Sequence, residues 1–320
     1  MNKKIIIFTG DPNSINSELI YKCWKKISDN IKKKTYFISN FNLMKSQFKK
    51  LKYKQTILKV KDINDKKYSN DIKIINIKLD FKDPFKVKRE DASSFIMSSL
   101  NLMHSYGLNK NVLGVINLPI NKKHLNKENI GVTEYLASKC KIKKDSEVML
   151  IKNDNFSVSP ITTHVDIKKV SKKITKAIII NKLTTIHKWF ISSLKRKPNI
   201  GILGLNPHNA EFRKNSEEHK IIVPCVKKLK EKGFKIKGPL VADTTFIENY
   251  KNFDVIVGMY HDQVLTPFKT LFKFNAINLT LGLKYIRVSP DHGVSADLIG
   301  KNKVDITSFV KCLNFINKIK

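Results

Sequence analysis

Cysteine is sparse in this 320-residue chain, and its four copies, Cys23, Cys140, Cys225 and Cys312, lie far apart. No CxxC pair exists, which excludes a zinc knuckle or a dithiol redox motif and leaves each thiol as a small core residue. Long hydrophobic runs are missing too, so no segment is expected to span a bilayer and no membrane partner is expected. The opening MNKKIIIFTGD offers four apolar residues before a turn. That is too short for a signal peptide, and the expected location is cytoplasmic. The turn after this first apolar run holds Gly10 alone, so the G-x-G-x-x-G dinucleotide fingerprint is absent. Acidic residues are outnumbered, 27 against 61 Lys and Arg, giving a formal charge of +34. The lysines are nevertheless spread along the whole chain beside abundant Asn and Ile, as an AT-rich genome would encode. The basic runs lack the interleaved aromatics that stack bases. No specific nucleic-acid partner is expected, although such a field attracts anionic substrates. Arginine is the scarcest cation, with only Arg89, Arg196, Arg213 and Arg287. A chain that defaults to Lys should keep Arg where a planar, bidentate fork is needed; the plainer alternative is a surface cation that happens to be Arg.

Hydrophobic residues make up 41% and charged residues 28%, a globular balance. Short apolar runs alternate with amphipathic stretches. Strands are expected at Ile5–Thr9, Thr35–Ser39, Ile72–Leu79, Val112–Leu118, Glu147–Ile151, Ser157–Thr163, Asn199–Leu205, Phe234–Lys237 and Val255–Met259. Helices are expected at Ile15–Ile31, Asn42–Leu51, Asp91–Tyr106, Gly131–Cys140, Val170–Leu194, Ser216–Lys232 and Ser308–Ile319. Gly107 stands at the stop position of the third. Residues 52–71 carry no clear pattern. The alternation predicts an α/β fold with a mostly parallel sheet and helices on both faces.

Val255 to His292 gathers most of the chemistry. A buried-looking strand runs into Tyr260-His261-Asp262-Gln263; Lys269 follows, then Asn278, Arg287 and Asp291-His292-Gly293. In α/β proteins the carboxyl ends of strands open onto the ligand crevice. An imidazole, an ammonium, an amide and a guanidinium there suit a metal and an anionic substrate. Three of the eight histidines, His164, His208 and His261, share one context: strand, turn, His. Neutral imidazole is the commonest ligand for divalent metals, and three leave positions open for substrate. The blander alternative for each is a hydrogen-bonded turn histidine. His104, His124, His187 and His219 lie on helices or in Lys-rich ground and attract no role.

The ordered motifs GDP (Gly10–Pro12), PINK (Pro119–Lys122), TEYLA (Thr133–Ala137), TTH (Thr162–His164), LGLNPH (Leu203–His208), GPLVADT (Gly238–Thr244), MYHDQ (Met259–Gln263), NLTLGL (Asn278–Leu283) and DHG (Asp291–Gly293) span nearly the full chain. The chain resembles the 4-hydroxythreonine-4-phosphate dehydrogenase family of pyridoxal phosphate synthesis. The resemblance implies one catalytic unit over residues 1–320, an α/β/α sandwich of two lobes similar to isocitrate and isopropylmalate dehydrogenases, with the active site in the cleft between lobes. It implies a homodimer in which His164, His208 and His261 bind a divalent metal (zinc, magnesium or cobalt) at the interface. It implies that Thr133, Lys269, Asn278 and Arg287 contact substrate, and that NAD or NADP binds without the glycine fingerprint. The implied reaction oxidises the 3-hydroxyl of 4-phosphooxy-L-threonine to a β-keto acid, which loses carbon dioxide. Lys269 and Asp262 are the candidates for taking the hydroxyl proton, Asp262 also for orienting its neighbouring imidazole.

The chain departs from the family pattern at three places. Val132 stands where a substrate-contacting histidine is usual, and it neither donates nor accepts a hydrogen bond. Ser14 and Asn16 replace glycines after GDP; if those sites need positive φ, Asn16 fits better than Ser14. Asn209-Ala210-Glu211 replaces Ala-Gly-Glu after His208. Two alternatives therefore stand beside the dehydrogenase reading. One is a paralogue acting on another phosphorylated hydroxy acid, such as a phosphothreonate or phosphoerythronate. The other is a catalytically silent nucleic-acid-binding relative.

Overall fold

The computed structural model describes residues 3–65, 70–125, 131–143 and 145–319. The chain divides into two compact units, the first from Met1–Cys140 with Leu283–Lys320, the second from Lys141–Gly282.

In the first unit β1 (Lys4–Phe8), α1 (Asn16–Trp24), α2 (Asp29–Lys34), β2 (Thr35–Ser39), α3 (Phe41–Lys50), β3 (Ile57–Val60), β4 (Ile72–Asn76), α4 (Arg89–Gly107), β5 (Val112–Asn117) and α5 (Val132–Lys139) follow one another. In the second unit come β6 (Val148–Lys152), β7 (Ser157–Thr162), α6 (Ile167–Lys173), α7 (Lys176–Leu194), β8 (Asn199–Leu203), α8 (Val223–Glu231), β9 (Lys235–Leu240), α9 (Ala242–Thr245), β10 (Val255–Tyr260), α10 (His261–Phe272) and β11 (Ile277–Leu281). The chain closes with β12 (Arg287–Pro290) and α11 (Thr307–Lys318) in the first unit.

The strands of the first unit run β3-β4-β2-β1-β5-β12, with every pairing parallel. A parallel strand buried on both faces reads as a continuous apolar run, and Ile5, Ile6, Ile7 and Phe8 are all fully buried. Ile6 and Phe8 pack with Phe95, Ile96, Leu100 and Met103 of α4. The alternate positions face the other side of the pleat, and α11 also packs against β1, β5 and β12. In the second unit the order is β11-β6-β7-β10-β8-β9. Here β6 runs antiparallel to both β7 and β11, and the rest is parallel. Val158, Ile256, Val264, Leu265 and Phe268 share its core with Phe156 and Phe246. The mostly parallel α/β fold is the one the alternation predicts.

The differences from the expected elements have physical causes. The expected helix Ile15–Ile31 is two helices: α1 stops at Trp24, and α2 opens at Asp29 after Ser28, whose backbone is extended (φ −69°, ψ 153°). Val170–Leu194 also splits, where the Thr175 side chain accepts from Ile178 N at 3.2 Å and caps α7. The helix expected from Ser216 opens instead with a wide π turn over Glu218–Ile222. Pro224 follows at once, and it has no N–H to return to the carbonyl of Lys220. Gly107 ends α4 without a left-handed conformation; a Cβ there would lie 2.8 Å from the Tyr285 ring, so packing requires the glycine. In the patternless stretch 52–71 the structure finds β3, a half-exposed edge strand with little alternation to read; residues 66–69 lie outside the described residues.

Candidate active site

Parallel strands in register end together, so their following turns share one edge of the sheet. In the second unit β10 pairs with β7, Tyr260 opposite Thr162, and on its other side with β8. Thr162 Oγ1 donates to Met259 O at 2.8 Å and fastens two of those ends. His164 and His261 follow directly, with ring centroids 6.0 Å apart and planes tilted by 33°. His261 Nδ1 lies 2.7 Å from Asp262 Oδ1. An imidazole that donates from Nδ1 to a carboxylate turns its Nε2 lone pair outward, the usual arrangement of a metal-binding histidine. Of the two roles open to Asp262, orienting His261 is the one this geometry supports.

His208 sits on the turn after β8, exposed to solvent. Its backbone is left-handed (φ 48°, ψ 29°), and so are Asn209, Ala210 and Glu211, with Phe212 at φ 53°. His164 too has positive φ, 45°. Left-handed conformations cost L-residues roughly 1–2 kcal/mol each, so a run of five is held from outside. Among the described residues no three His, Cys, Asp or Glu side chains of one chain stand close enough to hold an ion. The structure therefore pairs His164 with His261 and places His208 on its own strained turn. The pair supplies two imidazole donors, one of them oriented by a carboxylate, and no third donor of the same chain joins them among the described residues.

Lys269 is half-buried in the last turn of α10, its Nζ 5.6 Å from the centre of the Phe274 ring. Asn278 lies on β11 opposite Ile151. Its buried Oδ1 has no hydrogen-bond partner among the described residues, as expected of an acceptor that meets a ligand donor.

In the first unit Arg287 opens β12 and is only 4% exposed, which sets aside the reading of a chance surface cation. Its Nε donates to Asn117 Oδ1 at 2.6 Å, at the end of β5. Burial lowers this guanidinium to about 10, against the opposing influence of Tyr285, Cys312 and Glu134, so it stays charged at neutral pH. Thr133 lies in the first turn of α5. Its neighbour Val132 packs against the apolar core of this unit.

Ser14 and Asn16 both have ordinary negative φ; the positive φ in their turn belongs to Gly10, at 75°. The expected strain at Ser14 does not arise. Asn16 instead acts through its side chain, donating to Thr9 O and Pro119 O, each at 2.9 Å. By contrast Ala210, in place of a family glycine, does carry positive φ.

Sequence reasoning passed over four polar residues. His124 is buried, with Nε2 3.3 Å from Asp11 Oδ2 and Nδ1 2.9 Å from Ser93 Oγ. Glu218 is fully buried and accepts from the backbone of the His208 turn. Gln263 bridges β8 and β10, donating to Gly204 O at 2.8 Å and accepting from Met259 N at 2.6 Å. Asp11 was visible only as part of GDP. Gln263 lay inside a quoted motif; nothing in the sequence marked Glu218.

The model of the family described as pyridoxal phosphate biosynthetic protein PdxA matches residues 30–316. A 4-hydroxythreonine-4-phosphate dehydrogenase from Sulfurihydrogenibium sp. is 37% identical over 99% of this chain and 98% of its own. The crystal structure of 4-hydroxythreonine-4-phosphate dehydrogenase from Klebsiella pneumoniae superposes with a TM-score of 0.85 at 23% identity, covering 99% of this chain and 97% of that one. Isocitrate dehydrogenase from Methylococcus capsulatus superposes at 0.50 with 10% identity, over 98% of this chain and 84% of that one. These two likenesses concern the fold alone, and the second is the likeness of fold expected from the resemblance. With a family model matched across most of its length and a relative aligned from end to end, the chain belongs to the PdxA family of pyridoxal phosphate biosynthetic proteins, the 4-hydroxythreonine-4-phosphate dehydrogenases.

Proposed function

We propose that this chain oxidises 4-phosphooxy-L-threonine at its 3-hydroxyl with NAD or NADP, in pyridoxal 5'-phosphate biosynthesis. Hydride leaves carbon 3 for the nicotinamide and the hydroxyl proton is lost. The resulting β-keto acid releases carbon dioxide to give 3-amino-2-oxopropyl phosphate. The observation that carries this reading is the His164–His261 pair at adjacent strand ends, with Asp262 on the Nδ1 of His261.

His164 and His261 would hold a divalent cation, with His208 as the third imidazole. The active species is a cytoplasmic homodimer in which a second copy helps complete the ligand set. Zinc, magnesium or cobalt would supply Lewis acidity toward the substrate hydroxyl. Asp262 keeps His261 in the tautomer that presents Nε2. Lys269, Asn278, Thr133 and Arg287 are assigned to the anionic and polar groups of the substrate. Lys269 is the candidate acceptor of the hydroxyl proton.

A second reading rests on Val132. An apolar side chain packed on the core removes one polar contact from the substrate side, which favours a neighbouring phosphorylated hydroxy acid. Steady-state assays of purified protein with 4-phosphooxy-threonine and with 4-phospho-threonate and 4-phospho-erythronate, each with NAD and then NADP, separate the two. The first reading expects the amino acid to be turned over best. Equal or better turnover of a phosphothreonate would replace it with the second.

A further inference from the structure

We propose that Glu218 is a positioning residue that grips the Leu205–Phe212 turn in its left-handed form and thereby presents His208; the part concerning His208 rests on the histidine reading above. The carboxylate is fully buried. Its Oε1 accepts from Leu205 N and Asn206 N, both at 2.8 Å, and its Oε2 from Asn206 Nδ2 at 3.0 Å. Glu217 Oε2 accepts from the same Nδ2 at 2.9 Å. Two successive backbone amides and one side-chain amide thus converge on one buried anion, and charge-assisted bonds of this kind are the strong ones.

The anchor lies immediately before the strain begins. Asn206 is extended (φ −94°, ψ 155°), and the left-handed run starts two residues later. Within the run Asn209 and Ala210 are buried, while His208 is exposed. Asn209 Nδ2 donates to Pro239 O at 3.2 Å, and Arg213 N closes the far end onto Ala210 O at 3.0 Å. On the other side Gln263 joins Gly204 O to Met259 N, which fixes the β8 end against the strand that carries His261. A fold has no structural need to hold an exposed imidazole on a strained turn. The buried carboxylate makes sense as the part that stops the turn relaxing and carrying His208 away from a ligand.

The test uses the full chain with Glu218→Ala, Glu218→Gln and His208→Ala beside the unaltered protein. Amide hydrogen exchange without added metal reads the turn; Co(II) titration followed by visible absorption reads the histidines. For Glu218→Ala, exchange in the 204–213 segment should rise at least about tenfold while β6 and α7 keep their protection. Co(II) affinity should fall about 10–100-fold, the usual size for a group that orients a ligand. Glu218→Gln, which keeps one acceptor for the two backbone amides, should recover part of both. Unchanged exchange in the segment would overturn the proposal. So would loss of protection throughout the second unit, the mark of a merely structural role. Co(II) affinity untouched by Glu218→Ala but lost in His208→Ala would overturn the presenting role. An unaltered protein that takes up no Co(II) would remove the metal reading itself, whereas a gripped turn would still show in the exchange pattern.

Discussion

Two strand-end turns of this molecule invite comparison: the GDP turn after β1 in the first unit and the LNPH turn after β8 in the second. Both follow buried parallel strands. The GDP turn is tied on several sides. Asp11 accepts from Asn13 N at 2.8 Å and Asn121 N at 3.1 Å and meets His124 at 3.3 Å. Asn13 exchanges hydrogen bonds with Val87, and Gln47 donates to Pro12 O at 2.9 Å. Its positive φ falls on a glycine. The LNPH turn places positive φ on five residues, none of them glycine, and leaves its histidine exposed. The first turn is tied by side chains of several neighbouring segments and puts its positive φ where no Cβ resists it. The second is strained and is anchored at its entry, Leu205 and Asn206, by Glu218, which is how a turn can keep a donor available for a ligand.

The comparison breaks most sharply at the exposed histidine. His208→Ala should leave folding intact and lower hydride transfer by about 10³-fold or more, since a Lewis acid contributes several kcal/mol to the barrier; metal uptake, measured in the same preparation, should fall with it. A variant that keeps both removes His208 from the site. Gly10→Ala tests the GDP turn. A Cβ there would lie 2.4 Å from Asn16 Nδ2 and Pro119 O, so unfolding free energy in urea should drop by about 2–4 kcal/mol. A change under about 0.5 kcal/mol would mean the turn is looser than its hydrogen bonds imply.

Glu211→Gly probes the strained turn from the opposite direction. Glu211 is exposed and left-handed, so relief of strain should outweigh the added unfolded-state entropy and raise stability by about 0.5 kcal/mol. Destabilisation would place the strain elsewhere. The smallest effect concerns acid. Burial pushes the Glu218 carboxyl up, but the hydrogen bonds from Asn206 and Leu205 outweigh it and hold the group below its ordinary 4.5. A depressed carboxyl contributes stability that is complete above the unfolded value and is lost as pH falls through the folded one. Stability measured downward from pH 4.5 should therefore fall less steeply in Glu218→Gln than in the unaltered chain.

Much of this was legible in the residues. The run Ile5–Phe8 is apolar at every position because both faces of β1 are covered, and a pattern that dense has few readings. Each of the three histidines read in one context does follow a strand end, and the structure brings two of them, His164 and His261, together. Less legible were weak local signals and features whose cause lies far along the chain. The helix expected at Ile15–Ile31 was read through its Ser28 start, and β3 had too little alternation to notice. Asn16 looked like a question of backbone conformation and proved to be a side-chain tie to Pro119. His124 looked bland because its partner, Asp11, lies on a different element.

The sequence by itself determined the α/β alternation, the parallel core strands and the family, since apolar period and ordered motifs are properties of neighbouring residues. Only the tertiary structure decided that His164 faces His261, that His208 stands on a left-handed turn, and that Glu218 grips that turn. Each of these depends on which strands pair and on which amides remain unsatisfied at their ends. Both are settled by packing over long chain separations, where no local pattern carries the information.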